Sequence, residues 1–173
     1  MTYTGIDPNQ GYASGRQDVS GTVTSVIIRY VRNLCGDAGL VRMLQIAGEM
    51  RPVETLEDPL TWSSYAETLA LISAAAHVCV DNEIARHLGE EMLRQYDGTE
   101  VANLLRSLGS PKEVLQNVTA AAAKFFTVST LEALEVGDAH AIVRAANRPG
   151  YQRDISICDF TKGLLSQVPV LST

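Results

Sequence analysis

The 173-residue chain is short of basic charge, aromatic residues, cysteine and long apolar runs. Its 14 Lys and Arg face 20 Asp and Glu, a net charge of -6. The general attraction that phosphate backbones and anionic lipids require is therefore missing, and neither nucleic acid nor membrane is expected as a partner. No stretch reaches the roughly 18 apolar residues of a membrane span. The opening MTYTGIDPNQGYASGRQDVSG lacks both an apolar h-region and an Arg-rich amphipathic pattern, so neither secretion nor organelle import is signalled. Cys35, Cys79 and Cys158 are odd in number, far apart and set among apolar residues. That is no disulfide framework; it fits reduced core thiols in a cytoplasmic protein. A P-loop, a dinucleotide glycine fingerprint, a nucleophile elbow, a zincin helix and paired Cys-x-x-Cys knuckles are all absent. These absences remove the strongest motif-level routes to an enzyme, and no catalytic residue, metal or cofactor is expected.

What remains is ordinary for one globular domain: 46% hydrophobic and 20% charged residues. A chain of this length buries roughly two thirds of its unfolded surface. Residues 1–20, rich in Gly, Pro, Asn, Ser and Gln, read as a flexible leader before a single domain over 21–173. From Ser20, Val23, Val26, Ile27, Tyr30, Val31 and Leu34 recur at helical spacing up to Gly36. A second short helix over Leu40–Ile46 is ended by Gly48 and the Arg51-Pro52 pair. Pro52–Trp62 reads as loop, and the alanine-rich run from Ser63 as a central helix. Asp81-Asn82 caps a helix over Glu83–Tyr96, Thr99 caps a short one through Leu108, and Ser110-Pro111-Lys112-Glu113 is a capping box opening a helix over Pro111–Phe126. The period then switches to two: Thr127–Val136 and Ala139–Ala145 read as a hairpin joined by a type II′ turn at Gly137-Asp138. A last helix starts near Asp154 or Ser156. The fold class is α+β, mainly α: about six to seven helices with a C-terminal β-hairpin followed by a helix.

Few polar residues converge. His77 and Cys79 point to different helix faces, and His87 and His140 read as surface residues without a second ligand. Glu90 and Glu91 diverge around one helix; Glu132 and Glu135 lie on opposite faces of their strand, where an inward carboxylate would need Arg144 on the partner strand and a solvated edge is the preferred reading. The scarce aromatics fall near the expected core, where they read first as packing. An alanine-lined helical layer over a hairpin also suits a small apolar pocket. The candidate ligand-binding residues are Tyr30, Trp62, Tyr65, His77, Phe125, Phe126 and Phe160.

The element order, with a last helix carrying Cys158-Asp159-Phe160-Thr161-Lys162-Gly163-Leu164-Leu165-Ser166, resembles the ligand-binding fold shared by heme nitric-oxide/oxygen domains, 4-vinyl-reductase-type sensory domains and Golgi-transport tethering subunits. Gly89-Glu90-Glu91-Met92-Leu93-Arg94 through Gly109-Ser110-Pro111 also resembles sensory regions of actinobacterial signalling proteins. The likeness covers about residues 22–171 in element order.

The resemblance implies a non-enzymatic sensory or regulatory module that binds a small apolar or aromatic effector between helices and hairpin and signals as a homodimer or to a fused or partner protein. A pure interaction and dimerisation module of the same fold is the alternative, to be marked by an exposed face at Leu88, Met92 and Leu104. Heme is disfavoured: Pro111–Phe126 holds no histidine to match the axial ligand, and Val143-Arg144-Ala145-Ala146-Asn147-Arg148 keeps only an arginine of the propionate-binding Tyr-x-Ser-x-Arg motif. Cys158, Gly163 and Ser166 match the spacing around a metal-binding cysteine in the zinc-containing members. The other ligands of that site come from a later hairpin, which a sequence ending at Thr173 does not include. Either the chain is cut before them or this member lacks the metal; the metal-free reading is preferred, with Cys158 a small buried hydrophobe.

Overall fold

A computed structural model of the chain describes residues 16–95, 107, 109–138 and 140–169. It is α+β and mainly helical, with seven helices and two small antiparallel sheets among the described residues. The helix expected from Thr99 to Leu108 lies, but for Ser107, outside them.

Strand β1 (Val19–Ser20) leads into α1 (Gly21–Ala47), where the Ser20 hydroxyl accepts from the Thr22 amide and caps the first turn. Gly36, at φ 71° and ψ 179°, breaks α1 into the two segments that the spacing predicts. That left-handed conformation is open to glycine at little cost. Strand β2 (Trp62–Ser63) pairs antiparallel with β1, Val19 opposite Ser63 and Ser20 opposite Trp62. Asp18, Val19 and Ser20 are all buried. The leader expected over 1–20 is thus corrected at its end: its last residues are a core strand, held because β2 and Phe125 satisfy their backbone groups.

The loop expected over Pro52–Trp62 contains α2 (Val53–Glu57), whose single buried residue, Leu56, left no apolar stripe to read. Thr24 donates to the Leu56 carbonyl at 2.8 Å, and Arg32 meets Glu57 at 2.9 Å, fixing α2 to α1. Helix α3 (Tyr65–Cys79) opens with a capping box of Ser64 and Glu67 and buries Leu71, Ile72, Ala74 and Ala75 against α1. Helix α4 (Ile84–Gln95) starts after Asp81, whose carboxylate accepts from the Glu83 amide.

The helix expected over Pro111–Phe126 is two: α5 (Pro111–Gln116) and α6 (Val118–Ala122). The capping box of Ser110 and Glu113 is present as expected. Asn117 breaks the run, because its side-chain amide donates to the Glu113 carbonyl at 2.8 Å in competition with the helical pattern. The hairpin pairs β3 (Ser129–Val136) with β4 (Ala141–Asn147), with a bulge between Ala133 and Glu135. Its turn is longer than the two residues expected: Val136 pairs with Ala141, the Gly137 amide donates to the His140 carbonyl, and Gly137 does not take the positive φ of a type II′ turn. Helix α7 (Ile155–Ser166) is capped by the Asp154 carboxylate.

The main core joins four helices: Val23 and Ile27 of α1, Leu71 of α3, Leu88 and Met92 of α4, and Phe160 of α7 are all essentially inaccessible. The crossing of α4 and α7 is set by two glycines. A Cβ on Gly89 would stand 2.0 Å from the Phe160 carbonyl oxygen, and one on Gly163 would stand 2.0 Å from that of Arg86. A smaller core of Leu93, Val114 and Val168 lies beneath α5. Among the described residues no helix is long and apolar enough to cross a membrane.

Candidate functional site

The seven sequence-derived candidates do not converge on one cavity. Phe160 is fully buried and Phe126 nearly so, with their rings edge to face at 5.8 Å. This arrangement gives an aromatic pair more than its buried area alone. Tyr65 opens α3 and is also buried; its hydroxyl donates to the Gln152 carbonyl and its ring meets Tyr151 edge to face at 5.7 Å. Burial is the main cause that pushes its phenol pKa up. Phe125 is half-buried, and its carbonyl accepts from the Ser20 amide. Trp62 is half-buried in β2, where its carbonyl accepts from Arg51. Tyr30 is half-buried on α1, its phenol pKa raised by burial first and then by Asp81. His77 is exposed near the end of α3.

Spacing did not reveal the constellation around Asp18. This carboxylate is 4% exposed, accepts from the Tyr151 hydroxyl at 2.6 Å and the Tyr65 amide at 3.0 Å, and ties the entering strand to the start of α3. The Asp18 carbonyl also accepts from the Thr127 amide at 2.9 Å. A buried carboxylate is tolerable only with such donors. The arrangement is a structural latch, with each carboxylate oxygen already engaged.

Open space lies elsewhere. A cleft of about 830 Å³ runs between α5, the hairpin turn and α7. Leu115, Val143 and Leu165 give it apolar walls, and Lys112 and Lys162 stand among its lining. Lys112 reaches Asp138 at 3.4 Å and Lys162 reaches Asp159 at 2.8 Å. Both ammonium groups are well exposed, so these pairings are weak and can be exchanged for another anion. His140, also in the lining, is held by Glu135 at 2.8 Å. None of the seven candidates lines this cleft. Its walls come from several residues on each of α5, the hairpin turn, β4 and α7; Lys162, Leu165, Ser166 and Pro169 keep helical spacing along α7 and just past its end, but nothing in the sequence shows that these four segments meet.

A smaller recess of about 240 Å³ lies between β4 and α7 and includes Cys158, Arg153, Ile157 and Thr161. Arg153 donates to the Cys158 sulfur at 3.3 Å, and that contact is the chief cause of the raised Arg153 pKa. A cation against the thiol is the opposite of a second metal ligand. Among the described residues no group of three or more His, Cys, Asp or Glu side chains could hold a metal ion. Cys158 is half-buried rather than a buried hydrophobe.

Two other side-chain readings take definite form. Glu132 and Arg144 face each other across the strands as an exposed ion pair, and His87, half-buried, binds Asp81 at 2.7 Å. Compared with models of known protein families and with curated protein sequences, the chain matches none.

Proposed function

We propose that the chain is a non-enzymatic sensory or regulatory module whose effector, a small molecule with an apolar or aromatic body and an anionic end, occupies the cleft between α5, the hairpin and α7. The observation that carries this reading is the cleft itself: its size is that of small-molecule sites, and its apolar walls stand beside two weakly engaged lysines. The position, between helices and hairpin, is the one implied by the resemblance to nitric-oxide/oxygen and 4-vinyl-reductase-type sensory domains. An effector there would touch three elements that otherwise share little buried surface, and would favour whichever arrangement of them it binds more tightly. The output runs through α7, because the glycine crossing couples that helix rigidly to α4.

The test is native mass spectrometry of the full chain, alone and with decanoate or 2-naphthoate, beside a Val143→Trp variant that fills the cleft. A one-to-one adduct of either carboxylate, lost in Val143→Trp while circular dichroism is unchanged, is the expected result. An adduct that survives the variant, or none with the wild-type chain, would overturn the reading. An interaction and dimerisation module of the same fold is the second reading. Its proposed marker is corrected, since Leu88 and Met92 are buried against the core and Leu104 lies outside the described residues. What favours it instead is the exposure of Leu34, Val41 and Ile46 along α1. A ligand-free dimer in the same spectra would support it.

A further inference from the structure

Cys35 lies on α1 immediately before the Gly36 break, and Cys79 is the last residue of α3. The two helices pack directly on each other: the point where a Gly39 Cβ would stand is 4.0 Å from the Cys35 sulfur and 3.6 Å from Val78 of α3. The Cys35 side chain therefore faces the end of α3 at Val78, next to Cys79, 44 positions away in sequence, and the neighbouring Cys35 thiol is among the causes that raise the Cys79 pKa. Both are half-buried at the margin of the main core.

Each cysteine also abuts a backbone irregularity. Gly36 interrupts α1, and Val80, which follows Cys79, is a non-glycine residue in the left-handed region, at φ 52°, with its side chain 91% exposed. A β-branched residue is costly there. Both cysteines therefore stand at the ends of helical segments rather than inside them.

We propose that Cys35 and Cys79 form a reversible dithiol–disulfide pair, a modification site at which a hydroperoxide staples the break in α1 to the end of α3. Burial first, and then the neighbouring Cys35 thiol, push the Cys79 pKa up to about 12, so Cys79 keeps its proton and Cys35 is the sulfur that reacts first. The Cys35 thiolate attacks the peroxide, the O–O bond breaks, and a sulfenic acid forms as the alcohol or water departs. Cys79 then displaces the sulfenic oxygen; its proton leaves with the hydroxyl as water and the S–S bond closes. Two thiols are oxidised by two electrons and one peroxide bond is reduced. Exchange with a low-molecular-mass thiol returns both sulfhydryls. A transient pair of this kind is compatible with a reducing compartment.

The test uses the full wild-type chain, treated with equimolar hydrogen peroxide and then alkylated with N-ethylmaleimide. The expected product has lost the mass of two hydrogens, retains one alkylatable thiol of the three cysteines, and yields a peptide linking Cys35 to Cys79 that dithiothreitol separates. Cys158→Ser leaves that crosslink in place, whereas Cys35→Ser or Cys79→Ser abolishes it. Because the folded chain presents the thiols to each other, closure is at least about tenfold faster than in guanidinium-denatured chain. Equal rates in the two states, a crosslink to Cys158, or three alkylatable thiols after peroxide would each overturn the proposal, and none of these depends on a variant that must fold.

Discussion

The helical core and the hairpin annex solve the same problem unequally. In the core, α1, α3, α4 and α7 bury long apolar side chains from several directions, and the α4–α7 crossing is so close that carbonyl oxygens occupy the places of two Cβ atoms. In the annex, β4 has no buried residue, and the cluster under α5 rests on Leu93, Val114 and Val168. Its cross-strand Glu132–Arg144 pair is exposed and contributes little. A cleft persists there because too few large apolar groups meet to fill it. Elements held by few buried contacts are also those a ligand can most readily reposition.

The largest expected effect tests the rigid half of that comparison. Gly163→Ala places a methyl against the Arg86 carbonyl, where only main-chain movement can make room. It should destabilise the chain by about 3 kcal/mol or more, beyond the gain in helix propensity. Val143→Ala, a truncation at a half-buried position of the annex, should cost about 1 kcal/mol or less. Urea unfolding of both variants measures the contrast; similar losses would mean that the two regions are not energetically distinct.

Next in size is the latch that binds the entering strand to the core. Asp18→Ala leaves the Tyr151 hydroxyl and the Tyr65 amide without their acceptor, at an expected cost of about 2–3 kcal/mol. Asp18→Asn should recover most of it, since an amide can accept from Tyr65 and donate to the Tyr151 oxygen. A null result for Asp18→Ala would show that residues 16–20 add nothing to the core, and the comparison would then have to be redrawn without them.

Several elements were legible for definite reasons. Gly36 and Gly48 divide and end an apolar stripe, Asp81 and Asp154 cap, and Ser110 with Glu113 is a local signal that no tertiary contact overrides. Helix α2 and the β1–β2 pair were not, because five residues with one buried leucine and two-residue strands carry too few positions to show a period. Asn117 broke a run whose alanines all favour helix, through a side-chain bond that composition does not register. The capping box at Ser64 and Glu67 is written in the residues themselves, just ahead of the alanine pattern. Gly89 and Gly163 were a readable hint as well: glycine inside a helix is unfavourable unless something must approach closely. For the site, choosing aromatics selected the residues that bury the most area, which is why Phe126 and Phe160 lie in the core rather than around the cleft.

The smallest effect concerns the seam where α1 ends against β2 and α3, and it is read through pH. Burial of Glu49, whose side chain is 7% exposed, would by itself raise its carboxyl pKa; the Arg51 guanidinium and amide hydrogen bonds win, and hold it below the ordinary 4.5. Arg51 in turn donates to Ser63 at 3.1 Å, so the pair fastens the end of α1 to the small sheet. A carboxylate with a lowered folded pKa stabilises fully above its unfolded value, and that contribution is lost as pH falls through the folded one. Glu49→Gln should therefore cost about 1 kcal/mol near pH 7, and the gap between variant and wild type should close as the pH drops below 4.5. Unfolding midpoints across that range measure it. A gap that stays constant into acid would mean that Glu49 acts through packing rather than charge, and the seam would then belong with the apolar core instead of marking its polar edge.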